Sequence, residues 1–291
     1  MSLKARRSGA AAMEKYSVLI PLGHREPVEY VRPCLNSVVR QTVPPDEIVF
    51  VCDHHTPDEL RDVICEIAET ARIFYSFVDC TDIHKRGGHL GAVLARGVRL
   101  CVNELIARMD ADDIAPLDRC ERQLCAFESD ETLALVGGAA AEFTSDPTLI
   151  TGYRRPPADY ESILKFAKYR NPFNHSSVMF RRSAVLAVGN YSQALHGCED
   201  YDLWYRLLAA GYKGINLPEV LLYSRVGNDL FRRRQNPENT ASYFKVKKKM
   251  LQSGYITRLQ YLVSGSAILF LRHAPRRLVK TLYKKFLRKA S

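Results

Sequence analysis

Asp110-Ala111-Asp112-Asp113 sets carboxylates at i and i+2 directly after the apolar run Leu105–Met109. Acids so spaced, where a strand ends and the chain turns, can point into one crevice. They offer hard oxygen donors to Mg2+ or Mn2+ shared with a substrate diphosphate. The competing reading is a solvated acidic turn ahead of the helix after Pro116, and the run taken alone favours it, because short acidic motifs are common. A second acid pair, Glu199-Asp200, opens a helical stretch. It is either an ordinary first-turn pair favoured by the helix dipole or the seat of a general base that takes a proton from an acceptor hydroxyl. Neighbours on a helix face different ways, so one acid can be the base while the other binds acceptor or orients it. Asp53 closes another apolar run, where it can accept from a nucleobase imide or ribose hydroxyls, or cap the helix beyond Pro57. His175, in Asn171-Pro-Phe-Asn-His175, can meet phosphate or acceptor, although a lone histidine is more often structural. Arg225 and Arg232-Arg233-Arg234 suit a diphosphate; for at least two of these four the plain reading is a solvated charge run.

Such groups must be carried to one place by the elements around them. Tyr16–Leu22 reads as a buried strand, Val28–Gln41 as a helix with Val31, Leu35, Val38 and Val39 in a stripe, and Glu47–Cys52 as a second strand. Pro57–Thr70 follows as a helix with Thr56 at its N-cap, then Arg72–Val78 as a strand, Gly88–Val102 as a small-residue helix and Leu105–Met109 as a fourth strand. The alternation predicts a mostly parallel sheet with helices on both faces, and ligands then bind beyond the strand carboxyl ends. Asp53 and the Asp110 run both lie at such ends, so they converge although distant in sequence. Further on, the pattern gives a helix from Pro116 to about Glu128 and two short strands around Gly137-Gly138. A loop follows from Thr144 to Tyr160, then a strand over Ser176–Phe180, the aromatic helix Glu199–Ala210 and a last strand at Val220–Tyr223. From about Pro237 the chain is helical.

The bulk numbers narrow the field. A chain of 291 residues suits one large domain with a smaller appendage. The net charge is +10, and Arg272–Ser291 carries eight cations and no acid, so the body is close to neutral. That disfavours a nucleic-acid partner and points to a local anionic partner for the tail. The eight cysteines form no C-x-x-C pair and read as small buried hydrophobes in a reducing compartment. Residues 1–15 are expected to be a disordered leader, since Ser8–Met13 is too short and weakly apolar for a signal peptide. Leu259–Leu271 is too short to span a bilayer.

Six segments in order resemble the inverting glycosyltransferase family 2 with the GT-A fold, in the flavour of bacterial exopolysaccharide and amylovoran assembly. They are Ser17-Val-Leu-Ile-Pro21, Cys34–Thr42 with Pro44–Ile48, Ile106–Ile114, Leu135-Val-Gly-Gly138, Asn171–Phe180 and Glu199-Asp-Tyr-Asp-Leu-Trp204. The resemblance spans about Tyr16 to Arg234 and implies roles for matched positions. Pro21 and Leu22 line the base pocket by backbone contacts and Asp53 touches the base. Asp110 approaches ribose or sugar, Asp112 holds the metal, and Asp200 is the catalytic base of the Glu-Asp motif. It implies an α/β GT-A domain over 16–235 that moves a hexose, from a UDP-sugar, to a glycan or lipid-linked acceptor with Mn2+ or Mg2+. Where the family carries Asp-Asp-Gly-Ser, this chain has Cys52-Asp53-His54-His55; Ala95 stands where asparagine is frequent, and Leu22-Gly-His-Arg25 replaces a Tyr-Asn type of loop.

Residues 236–291 form a helical extension in this reading. On a helix, Leu278, Val279, Leu282, Tyr283, Phe286 and Leu287 fall opposite Lys280, Lys284, Lys285 and Arg288. A basic amphipathic helix of this kind suits an anionic membrane surface, which places the protein in the cytoplasm, peripheral to the inner face of the cell membrane. Two rivals remain. A sugar-nucleotidyltransferase wants a Gly-rich phosphate loop after the first strand, which Leu22-Gly-His-Arg25 does not supply. An inactive nucleotide-sugar or membrane-binding module has no need of both Asp112 and Asp200.

Overall fold

The computed structural model describes residues 13–23, 26–52, 55–82, 90–227 and 236–274. Asp53, His54, Arg232, Arg233 and Arg234, most of the expected leader and residues 275–291 lie outside the described residues.

β1 (Tyr16–Leu22) and β2 (Glu47–Cys52) are buried along their whole length. Their side chains divide between two cores by the twofold period of a strand. Tyr16, Val18, Ile20, Leu22, Ile48, Phe50 and Cys52 face one core, and Leu19, Val49 and Val51 the other. A strand apolar on both faces is what a parallel sheet covered on both sides requires. The first core is closed by α1 (Val28–Val39), α2 (Asp58–Ala71) and α4 (Arg119–Ser129), and the second by α3 (Leu90–Leu100), α5 (Tyr160–Ala167), α6 (Arg182–Ala187) and α7 (Glu199–Ala209).

β3 (Phe74–Asp79) pairs with β2, β2 with β1, and β1 with β4 (Leu105–Arg108), all parallel. The sheet continues through β7 (Met179–Arg181), β5 (Leu133–Phe143) and β6 (Gly152–Arg154) in antiparallel pairings, while β8 (Lys213–Arg225) pairs parallel with β5. The order β3-β2-β1-β4 reverses direction at β1, and in sheets of this order ligands bind beyond the carboxyl ends of the strands at that point, here β1 and β4.

Several segments differ from the sequence expectation. β5 is one continuous strand through Gly137-Gly138, with a register irregularity between Gly138 and Ala139. β8 is much longer than Val220–Tyr223, and β6 lies in what reads as a loop. Ser176 belongs to a 3-10 turn, His175–Ser177, so the strand begins only at Met179. The eight cysteines are free thiols, five of them buried.

α8 (Pro237–Gln252) and α9 (Arg258–His273) complete the described chain. α8 shares a small third core with α7, built from Leu195, Tyr201, Tyr205, Val246, Met250 and Ile256. Within it Lys247 is buried, its ammonium donating to the Tyr201 hydroxyl at 2.8 Å and to the Lys168 carbonyl at 2.7 Å. Burial pushes this lysine down to about 8.

Candidate active site

The acidic turn begins where β4 ends. Met109 N–H donates to the Leu19 carbonyl, so Asp110 emerges beside the end of β1. Pro21 and Leu22 form the last rungs of β1 opposite Val51 and Cys52, the residue before Asp53. One carboxylate oxygen from each of Asp110, Asp112 and Asp113 falls within 4.8 Å of the others. Their environments differ. Asp110 pairs with the buried Arg108 guanidinium at 2.5 Å and accepts the Ser176 hydroxyl at 2.5 Å. Burial opposes its charge, but Arg108 and Ser176 outweigh burial and hold the carboxyl below the usual range. Asp113 is buried and accepts the Arg225 backbone N–H at 2.9 Å; burial, then Asp110 and Asp112, push it up to about 7. Asp112, half-buried between them, lends its carbonyl to Arg225 Nε at 3.2 Å.

Arg225 is a clamp on this turn. Its guanidinium also donates to the Thr144 carbonyl at 3.2 Å and lies over the rings of Tyr30 and Phe143, 4.0 and 4.6 Å from their centroids. Ile114 and Tyr223 exchange backbone hydrogen bonds alongside, so the end of β8 fixes the turn from below.

The second acid pair stands at the start of α7. Gly197 and Cys198 both have positive φ, 73° and 64°, and this double left-handed step delivers the chain into the helix. Glycine adopts that conformation freely; cysteine does so at a cost, a kind of strain that clusters at functional sites. Glu199 is buried, whereas Asp200 is half-buried. Asp200 accepts the Asn171 amide at 2.5 Å and its neighbour's N–H, from Tyr201, at 2.7 Å. Burial raises its affinity for a proton more than these bonds lower it. Glu199 is pushed up to about 7 by burial and then by the charge of Asp200.

Arg108 and His175 lie between the pairs. The charge of Arg108 acts on Asp110, Glu199 and Asp200 alike. His175 Nε2 meets the Tyr191 hydroxyl at 3.0 Å, and its ring packs against Tyr191 and Trp204. Burial and then Arg108 drive it well below the usual range, so the imidazole is neutral at physiological pH. The 3-10 turn lets His175 and Ser176 reach this one place from adjacent positions.

A third anchor sits at the end of β3. Asp79 accepts from the Thr56 N–H and hydroxyl at 3.2 and 2.8 Å, meets His55 Nδ1 at 2.9 Å and ion-pairs with Arg61. The expected Thr56 cap is therefore not made: the N-cap of α2 is Pro57, and the Thr56 hydroxyl is spent on Asp79. Sequence reading missed Arg108, Ser176, Asn171, Tyr191 and Asp79. For Arg108 a signal was present, a cation within an apolar run and two residues before Asp110, hence on the same face of the strand.

A family model described as Glycosyl transferase family 2 matches residues 17–189. The chain belongs to glycosyl transferase family 2. It is thus a glycosyltransferase, and relatives agree over nearly its full length. An uncharacterized glycosyltransferase of Haemophilus influenzae is 36% identical over 94% of this chain and 100% of its own. The amylovoran biosynthesis glycosyltransferase AmsE of Erwinia amylovora is 33% identical over 93% and 98%. The UDP-Gal:alpha-D-GlcNAc-diphosphoundecaprenol beta-1,3-galactosyltransferase of Escherichia coli is 30% identical over 94% and 97%. Among solved structures, a Pyrobaculum calidifontis mannosyltransferase in complex with GDP-Man and Mn2+ superposes with a TM-score of 0.60 at 18% identity, covering 94% of this chain and 80% of that one. At that identity the likeness speaks for the fold, and it bears out the GT-A architecture expected of the family.

Proposed function

We propose that this family 2 enzyme moves a hexose from a nucleotide sugar, a UDP-sugar, to a hydroxyl of a glycan or lipid-linked saccharide, with inversion, in cell-surface polysaccharide synthesis. The observation that carries the reading is the division of labour around Arg108. An acid held ionised stands at the end of β4, and an acid held basic stands at the start of α7. The names of the amylovoran and galactosyltransferase relatives support the substrate class.

In this reading Asp112 holds Mn2+ or Mg2+, with carboxylate oxygens of Asp110 and Asp113 close by; hard oxygen donors are what such ions take. The bound cation supplies charge neutralisation for a departing diphosphate. Pro21, Leu22 and Asp53 take the nucleoside, Asp110 the ribose or sugar, and Arg225 keeps the acidic turn in place for the donor. Asp200 accepts the proton of the acceptor hydroxyl as that oxygen bonds to the anomeric carbon and the bond to diphosphate breaks. One in-line displacement inverts the centre. Glu199 and His175 shape the acceptor side, and Arg232 and Arg233 are assigned to phosphate. Residues 272–291 meet an anionic membrane surface at the cytoplasmic face.

The test is turnover of a panel of nucleotide sugars with Mn2+, with and without saccharide acceptors. Asp112→Ala is expected to lower turnover by about a thousandfold, the several kcal/mol a bound cation supplies. Equal turnover by the variant, or no donor accepted by the wild type, removes this reading.

A further inference from the structure

α9 ends the described chain with an unusual outer surface. Leu259, Leu262, Val263, Leu269 and Phe270 are between 42% and 70% exposed. At 100° per residue they share an arc of about 160° with Ser266, Ala267 and, in the last turn, His273, and no lysine, arginine, aspartate or glutamate interrupts it. The opposite side of the helix is occupied: Ser264 and Gly265 are buried, and Tyr261 meets Phe244 of α8 with ring centroids 6.3 Å apart. A capping box, in which Thr257 and Gln260 exchange hydrogen bonds, fixes where the helix starts. So the apolar face belongs to a well-formed helix seated on the body, and contiguous exposed apolar surface of this kind marks an interaction site.

Charge says what covers it. Glu238 is the last acid of the chain; from Asn239 to Ser291 there are thirteen lysines and arginines and no acid, while the rest of the chain is net acidic. Lys245, Lys248 and Arg258 are exposed on α8 and at the start of α9, and Arg272 follows at its end. A second copy would bring two such cationic regions together, which is unfavourable. A nucleic acid has no use for a stripe of leucines flanked by lysine. An apolar helix face with a cationic rim matches the boundary between anionic headgroups and acyl chains. No described helix is long and apolar enough to cross a membrane, so this one lies along the surface.

We propose that the outer face of α9, through Leu259, Leu262, Val263, Leu269 and Phe270, docks the enzyme flat onto an anionic bilayer. This deepens the membrane-surface reading given above for residues 272–291: the apolar face of α9 supplies insertion, and the cations around and after it supply attraction. α8 lies between α9 and α7, which carries Asp200. Docking therefore holds the helix that braces the proposed catalytic base toward the plane of the membrane, where a lipid-linked acceptor hydroxyl would be found.

The test uses the full chain with vesicles of phosphatidylcholine alone and of equal parts phosphatidylcholine and phosphatidylglycerol. The wild type is expected to sediment with the mixed vesicles and to be released by salt. Leu262→Asp combined with Phe270→Asp should cut that partition at least tenfold, because two inserted side chains are replaced by charges. Both positions are exposed, so the thermal midpoint should not move and sets folding aside; Leu262→Ser with Phe270→Ser serves if it does. Unchanged vesicle binding by the variants overturns the proposal. So does a wild-type dimer in light scattering that the substitutions convert to monomer, which would assign the face to a second copy. The readout needs no turnover, so loss of the transferase reading and loss of this one are told apart.

Discussion

The two acid pairs of the site make an instructive contrast. Each has one member pushed up to about 7 by burial beside a like charge, Asp113 in the turn and Glu199 on the helix. The other members diverge. Asp110 has a buried guanidinium and a hydroxyl against it and stays an anion. Asp200 has only neutral donors, the Asn171 amide and the Tyr201 N–H, and its proton affinity rises. A formal cation at contact distance holds a carboxylate ionised; neutral donors do not outweigh burial, and the proton affinity rises. The same arginine serves both ends, since the charge of Arg108 reaches Asp200 without touching it.

The largest expected effect breaks the base side of that contrast. Asp200→Asn keeps the shape and removes the proton acceptor, so transfer should fall by about a thousandfold, the middle of the range for general base catalysis. Donor affinity, measured by calorimetry, should stay within a few-fold, because the donor is assigned to the other pair. Equal loss of donor affinity would merge the two pairs into one site. The next effect breaks the ligand side. Arg108→Met strips Asp110 of its partner and should cost about 3 kcal/mol of unfolding free energy, as expected when one half of a buried ion pair is removed. Adding Asp110→Asn should restore part of it. Strictly additive losses in denaturant titrations would show that the pair does not act as one.

How far this contrast could be read without coordinates depends on what kind of signal each residue leaves. β1, β2 and β4 are apolar on both faces, so their runs stand out, and an acid closing such a run is visible as Asp110. The Glu-Asp start of α7 is equally plain, as it precedes an aromatic stripe. Gly137-Gly138 misled, because paired glycines ordinarily punctuate. Here they serve close packing within a continuous β5. A Cβ on Gly137 would lie 2.4 Å from Asn216 Oδ1, and one on Gly138 2.5 Å from Leu221 Cδ1. β8 was masked by Pro218-Glu219, which the register shift beside Gly138 absorbs. The hydrogen bonds that tune the acids come from Ser176 and Asn171, distant in sequence and ordinary in type. Their role arises from a 3-10 turn that apolar periodicity does not encode. Asp79 is similar: it ties the residues after β2 to the end of β3 through contacts visible only in three dimensions.

The smallest expected effect separates the two members of the second pair. Glu199 holds its proton up to about 7 in the folded protein, against 4.5 for an ordinary glutamate. Between those values the native state binds a proton that the unfolded chain has released. Its contribution therefore favours folding fully below pH 4.5, is lost as pH rises toward 7, and is absent above. Glu199→Gln replaces the buried acid by a neutral group of the same shape. At pH 8 the variant should be more stable than the wild type by about 3 kcal/mol, and near pH 4.5 the two should match. Asp113 titrates in both proteins and cancels, whereas Asp200 is coupled to Glu199, so the difference between the two stability curves reports the Glu199–Asp200 pair. The substitution should leave transfer within a few-fold, since Glu199 is assigned to shaping the acceptor side and not to taking the proton. Glu199 is buried with no hydrogen-bond partner on Oε2, whereas Asp200 is only half-buried and so the more accessible of the two. A pH-independent difference between the curves, or a Glu199→Gln loss as deep as that of Asp200→Asn, would reverse the assignment and make Glu199 the acid that works.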